Sequence, residues 1–207
     1  MASKDVKERI RKAAAELFME KGYGGTSVRE LGDRAGVSQS SLYHHAGSKA
    51  DILFDLHKTF IDDLIVKFEA AVVEPIPARE QLLRIFQVEL EVVAMHKAEV
   101  TVFLREQHAL QGEHAVRLVE RREQADRLVD QVIRRGVLAG EFRDVDVRLL
   151  RFALFGMCNW SYQWFSPAGQ YTHEQVAEIF YNLLTEGILR HDVEPAVARA
   201  EAVLAEG

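Results

Sequence analysis

GVSQSSLYHHAGSKADIL, residues 36–53, joins a short helical pair to the capped start of a longer helix, and the fold is read outward from it. With Val28 as the first position of a helix-turn-helix, apolar Leu31, Ala35, Val37 and Leu42 fall where two crossing helices must touch. Gly36 then occupies the tight turn between them, where the left-handed backbone favours glycine. Upstream, residues 5–21 carry Val6, Ile10, Ala13, Ala14, Leu17 and Phe18 on one helical face, which predicts a supporting first helix. Gly22, Gly24 and Gly25 end it. Ser27 with Glu30 forms a capping box for the second helix, Ser38 caps the third, and Ser48 with Asp51 opens the fourth. Closely spaced starts of this kind mean short helices.

Such a unit points to DNA. A recognition helix enters a major groove about 12 Å wide with its first turn toward the base edges, and small polar residues suit that end. Ser38, Gln39 and Ser40 occupy it here. Gln39 pairs bidentately with adenine and is the expected base reader, while the serines bond almost any edge or a phosphate. Tyr43 and His44, one turn on, are expected at the backbone, and Ser27, Arg29 and Leu42 are further candidate DNA-binding residues. Lys49 lies in the first turn of the fourth helix, where free amides and the helix dipole favour an anion, and is expected to clamp a phosphate. Adjacent His44 and His45 point about 100° apart on a helix and make a poor metal pair, so no metal is expected.

The run TSVRELGDRAGVS, the Leu42-Tyr43-His44-His45 segment after it, and Ser48-Lys49 resemble the DNA-binding domain of the tetracycline-repressor (TetR) family over about residues 5–55. Ala46 stands where that family usually has an aromatic residue, Ala50 where it often has Glu, and Gly32 where it usually has Ala. The resemblance implies an all-α protein with an N-terminal three-helix DNA-binding domain, residues 1–50, and a C-terminal helical bundle, residues 51–207, for ligand binding and dimerisation.

Charge agrees with a DNA-binding end. The 207 residues carry a net charge of -6, yet residues 1–50 hold nine Lys and Arg against six Asp and Glu, net +3, leaving seventeen against twenty-six, net -9. The positive field is therefore confined to the end that carries the motif. The lone Cys158 excludes a disulfide framework and reads as a small core filler in a reducing, cytoplasmic protein. No apolar run is long enough to span a bilayer, and no membrane partner is expected.

Beyond residue 55 the pattern predicts helices over about 49–73, 78–95, 99–111, 114–139, 144–166 and 173–190, with a weak amphipathic tail at 194–204. The last two main helices are apolar on more than one face. Phe152 and Phe155 on one, and Val176, Phe180, Leu183 and Gly187 on the other, are the expected seam of a four-helix homodimer interface. Symmetric half-sites one DNA turn apart, roughly 34 Å, require such a pair.

Apolar and polar groups also mix as a ligand cavity requires. Phe86, Leu90, Met95, Phe103, Gln107 and His108, with Trp160, Gln163 and Trp164, are the candidate lining. Residues 156–169, GMCNWSYQWFSPAG, resemble the corresponding segment of TetR-family regulators that respond to acyl-CoA thioesters. That resemblance implies an acyl-CoA inducer, with Arg105, Arg121 and Arg122 available for its phosphates; a free fatty acid or hydrophobic drug is the alternative. A helical metal-dependent enzyme, built for example on Glu106, His108, Glu113 and His114, is the less favoured alternative. Glu106 and His108 do not share a helix face, and no nucleophile elbow, phosphate loop, dinucleotide fingerprint or HExxH occurs, so neither catalysis nor a cofactor is expected. A helical adaptor would leave the Gln39–Lys49 arrangement without a purpose. The sequence therefore predicts a ligand-released repressor that binds palindromic operator DNA as a homodimer.

Overall fold

In the computed structural model residues 2–186 are described, and these form nine α-helices with two 3-10 turns and no strand. Gly187 and the 194–204 tail lie outside the described residues. Three helices make the head: α1 (Ala2–Lys21), α2 (Val28–Ala35) and α3 (Gln39–Ala46). Ile10, Ala13, Ala14, Leu17 and Phe18 of α1 are buried with Leu31, Ala35 and Leu42, as the apolar spacing requires.

Local caps set the helix ends. Ser27 and Glu30 cap each other's backbone at the start of α2, a device worth about 1 kcal/mol. Gly36 is left-handed with φ 66° and returns its N–H to the end of α2. Arg9 donates to the carbonyls of Ala35 at 2.5 Å and Gly36 at 2.9 Å, so α1 staples the turn. Ser38 caps α3, Gly47 ends it with φ 72°, and Ser48 with Asp51 forms a second reciprocal box.

That box opens α4 (Lys49–Val73), which runs unbroken from the head into the body. The body adds α5 (Ala78–Met95), α6 (Lys97–Glu106), α7 (Gly112–Leu138), α8 (Val147–Trp160) and α9 (His173–Thr185). α5 lies centrally, packed by α4, α7, α8 and α9, and buries Leu82, Ile85, Phe86, Leu90 and Val93. Arg151 of α8 is itself buried and bonds Asp126 and Asp130 of α7, each at 2.7 Å, which ties the two helices together.

At Ala46 the missing aromatic leaves a groove of about 310 Å³ bounded by Ile10, Ile52, Phe54 and His114, among others. The body partly closes it: the His114 ring stacks on Phe54 at 4.5 Å and its Nε2 lies 2.8 Å from Asp51.

Two helices depart from the sequence reading. The expected 144–166 helix begins only after its Asp146 cap and stops at Trp160. Buried Ser161 donates its hydroxyl to the Cys158 carbonyl at 2.5 Å, and the chain tightens into a 3-10 turn, Ser161–Gln163. The expected 99–111 helix ends at Glu106 and continues as a 3-10 turn, Gln107–Ala109.

Candidate nucleic-acid interface and ligand cavity

Ser27 and Arg29 at the start of α2, and Ser38, Gln39, Ser40, Tyr43 and His44 along α3, are all exposed on the head. Ser27 and Ser38 spend one acceptor on helix caps, and Gln39 opens α3 with its side chain in solvent. Leu42 departs from the expectation. It is fully buried against the head core, because it falls in the apolar spacing of the helical pair, and offers no surface to DNA.

Lys49 is also placed differently. Its ammonium donates to the carbonyls of Tyr23 at 2.8 Å and Thr26 at 2.9 Å and lies 4.3 Å from the Tyr23 ring centroid. These loop carbonyls, of which Tyr23's also accepts the Thr26 N–H, draw it inward, so it works as a strut between that loop and α4. From the opposite side Glu106, the last residue of α6, accepts the Tyr23 backbone N–H at 2.9 Å. The peptide groups flanking Tyr23 are thus held from both sides, by the body through Glu106 and by α4 through Lys49. Residues 83 positions apart make the first of these bonds, and no spacing in the sequence announces it.

The body holds a cavity of about 170 Å³ between α4, α5, α6, α7 and α8. Phe60, Ile61, Leu64, Phe103 and Phe155 give it apolar walls, and Glu89, Gln107, Arg122, Asp126 and Asn159 supply polar groups. Arg122 donates to the Gln107 amide oxygen at 2.5 Å at an exposed position on α7. Burial, reinforced by the charge of Asp126, pushes the Glu89 carboxyl up to about 8. Burial likewise raises Asp126, against the pull of Arg151 and Arg122, and raises the Cys158 thiol beside Glu89.

Of the expected lining residues, the structure brings Phe103 and Gln107 to this cavity. Phe86 and Leu90 are fully buried in the core, and Met95 and His108 are exposed. Trp160, at 64% exposed on the outer side of the last turn of α8, and Trp164, at 50% beyond the helix end, lie on the surface with Gln163. Phe155, expected at the dimer seam, lines the cavity instead. Glu89 was missed, although one signal marks it: an acid at an inward position of the Leu82, Ile85, Phe86, Val93 series.

A second surface is apolar without a partner. Leu149, Phe152 and Trp160 of α8 and Ile179 and Leu183 of α9 are exposed, and the space beside Gly156 is open. Val176 instead packs into the core, and Phe180 is half-buried with its ring 6.2 Å from Trp164, so the exposed stripe of α9 is rotated from the one expected. No helix among the described residues is long and apolar enough to cross a membrane, and no cluster of metal-ligating residues occurs there.

Comparison with known proteins fits this geometry. Residues 10–56 match the Bacterial regulatory proteins, tetR family, and residues 75–188 match the Tetracyclin repressor-like, C-terminal domain. The HTH-type transcriptional repressor KstR2 of Mycobacterium tuberculosis is 30% identical over 183 residues, covering 87% of this chain and 91% of its own. The TetR family transcriptional regulator PfmR from Thermus thermophilus superposes with a TM-score of 0.81 at 34% identity, over 88% of this chain and 100% of that one. AibR in complex with isovaleryl coenzyme A and operator DNA gives a TM-score of 0.79 at 26% identity, over 87% of this chain and 98% of that one. The exposed head surface, the walled cavity beneath it and both matched segments together establish that the chain belongs to the TetR family of bacterial regulatory proteins, as a DNA-binding, ligand-responsive transcriptional regulator.

Proposed function

We propose that the protein is a repressor that holds a two-fold symmetric operator as a homodimer and lets go when a short-chain acyl-CoA thioester fills the cavity between α4 and α8. The observation that carries this reading is the continuity between cavity and head. Phe103, Leu104 and Gln107 line the cavity, and Glu106, on the same turn of chain, grips the Tyr23 peptide. A ligand releases DNA only if it binds better to a form with misplaced heads. An acyl group that spreads α6 from α7 moves Glu106, and with it the α1–α2 loop that Lys49 joins to the start of α4.

Cavity size favours a short acyl chain. About 170 Å³ is well below the roughly 300–1,000 Å³ of pockets for drug-sized ligands. Arg122, at the cavity, and Arg105, whose guanidinium lies 5.8 Å from the Tyr162 ring centroid, are placed for the phosphates of a carrier outside it. Arg121 is held by Asp62 at 3.3 Å and is less available. The operator complex of AibR with isovaleryl coenzyme A supports the same ligand class, and the repressor KstR2 supports the sign of regulation.

Two measurements test the reading. Acyl-CoAs from acetyl to hexanoyl are added to a protein–operator complex obtained by selection from random DNA; one of them is expected to raise Tm and to release DNA over the same concentration range. Release by free acids alone overturns the thioester assignment and leaves the repressor standing. In the second, Gln39→Ala is expected to cost about 1–3 kcal/mol on the selected operator and to relax one base position per half-site. Equal loss on all sequences removes Gln39 from base readout.

A further inference from the structure

Glu89 is 4% exposed and faces the cavity from α5. What acts on its carboxyl is burial and the charge of Asp126; no side-chain or backbone donor among the described residues bonds to it. The ionisable groups around it are few. Asp126 and Arg122 approach from α7, the Cys158 thiol from α8, and Asp126 is tied back to Arg151 of α8, which Asp130 of α7 also holds. The walls from α4 are apolar, and α6 adds Phe103 and Leu104.

A carboxylate so placed is withdrawn from bulk solvent and feels the charge of a second carboxylate, and both effects favour the protonated acid at neutral pH. A protonated acid has one O–H to donate. Arg122 acts on Asp126 and not on Glu89, and its guanidinium reaches out to Gln107 at an exposed position.

We infer that Glu89 is the specificity-determining residue of the cavity: its carboxylic acid donates a hydrogen bond to an uncharged carbonyl oxygen of the bound acyl group and rejects ligands that would bring a carboxylate to that point. The inference rests on the cavity being the inducer site and deepens that reading. A thioester or ketone offers the acceptor without charge, whereas a free acid would set a third carboxyl against Glu89 and Asp126. The carbonyl of the acyl group, more than its chain, is therefore what separates an inducer from its hydrolysis product.

The test uses the full chain and calorimetric titration at about pH 7 and about pH 9, two conditions that bracket the ionisation of Glu89. The probes are acetyl, butyryl, isovaleryl and hexanoyl groups, each as the CoA thioester, as the phosphate-free N-acetylcysteamine thioester and as the free acid. Wild type is expected to bind a thioester about tenfold more weakly at the higher pH and to ignore the free acids. Glu89→Gln keeps shape and donor and is expected to bind equally at both pH values; Glu89→Leu is expected to lose about tenfold or more at each. Glu89→Leu binding like wild type, loss of binding in Glu89→Gln, or a pH-independent wild type overturns the assignment while leaving thioester binding in place. Binding of the cysteamine esters alone, with the expected variant pattern, supports Glu89 and removes CoA from the proposed function. Failure of every thioester with wild type overturns both.

Discussion

Leu183→Arg is expected to break the proposed homodimer into monomers and to weaken operator binding by about a hundredfold or more. Leu183 is 42% exposed in the single chain and belongs to the stripe with Ile179 on α9 and Leu149, Phe152 and Trp160 on α8. A stripe of large apolar side chains across two helices is more than scattered surface hydrophobics, and covering it with a second copy buries both faces at once. In a two-fold interface a substitution appears twice, and an unpaired buried charge costs several kcal/mol on each occurrence. The isolated fold has no reason to suffer, because the new guanidinium points to solvent in the monomer. Sedimentation velocity and circular dichroism check both halves: a folded monomer is expected. Gel shifts on full and half operators should then show equal, weak affinity. An intact dimer would place the interface elsewhere on the chain.

His57→Leu is expected to expose a loss of stability with rising pH between about 4.5 and 6.5, and Glu89→Gln to expose the opposite loss toward acid while removing most of the sensitivity to mild base. His57 lies wholly inside the contact between α4 and α6, its ring 5.2 Å from that of Phe103, and neither ring nitrogen is in hydrogen-bonding geometry with a partner. Burial holds it down at about 4, outweighing the pull of the neighbouring Glu106 backbone. The folded state thus binds fewer protons than the unfolded one between about 4 and the ordinary 6.5. Stability from this group is complete above 6.5 and is lost as pH falls toward 4, by about 3 kcal/mol in all. Glu89 has the opposite sign. Raised from 4.5 to about 8, it contributes fully below 4.5, and that contribution is lost as pH rises through 8, about 3 kcal/mol of it by pH 7. Between 4.5 and 6.5 the two slopes oppose each other in wild type and leave a flat profile. Urea midpoints across that range should fall toward acid in Glu89→Gln and toward base in His57→Leu. Parallel profiles in all three proteins would show that neither group is held in the ionisation state described.

The head was legible because its determinants are local. Ser27 with Glu30, Gly36, and Ser48 with Asp51 each act within a few residues, and the structure forms every one of these caps and turns. Leu42 belonged to the same spacing argument twice, as core and as surface, and only its burial separates the two. The strut made by Lys49 was not legible for a different reason: the carbonyls that accept from it lie in the α1–α2 loop, outside the local spacing that makes a helix start inviting to a phosphate. In the body, helical periodicity located the helices but not which flank of each turns inward. The aromatic segment after Trp160 was assigned to the cavity because an uninterrupted helix was assumed, whereas the Ser161 hydroxyl ends it. The Glu89, Asp126 and Arg122 group arises where α5 meets α7, a meeting that no single stretch of chain encodes.

The bonds that join head to body at residue 23 are made almost wholly to main chain: Glu106 takes the Tyr23 N–H, and Lys49 takes the carbonyls of Tyr23 and Thr26. Main-chain groups are common to nearly every amino acid, so this coupling makes few demands on the side chains of the α1–α2 loop. With base readout by α3 as proposed, operator preference is free to drift by substitution while the response to inducer is inherited intact. For the same reason a foreign reading head grafted at the start of α4 needs the loop's length and path, together with one lysine and one glutamate, to come under the control of this cavity.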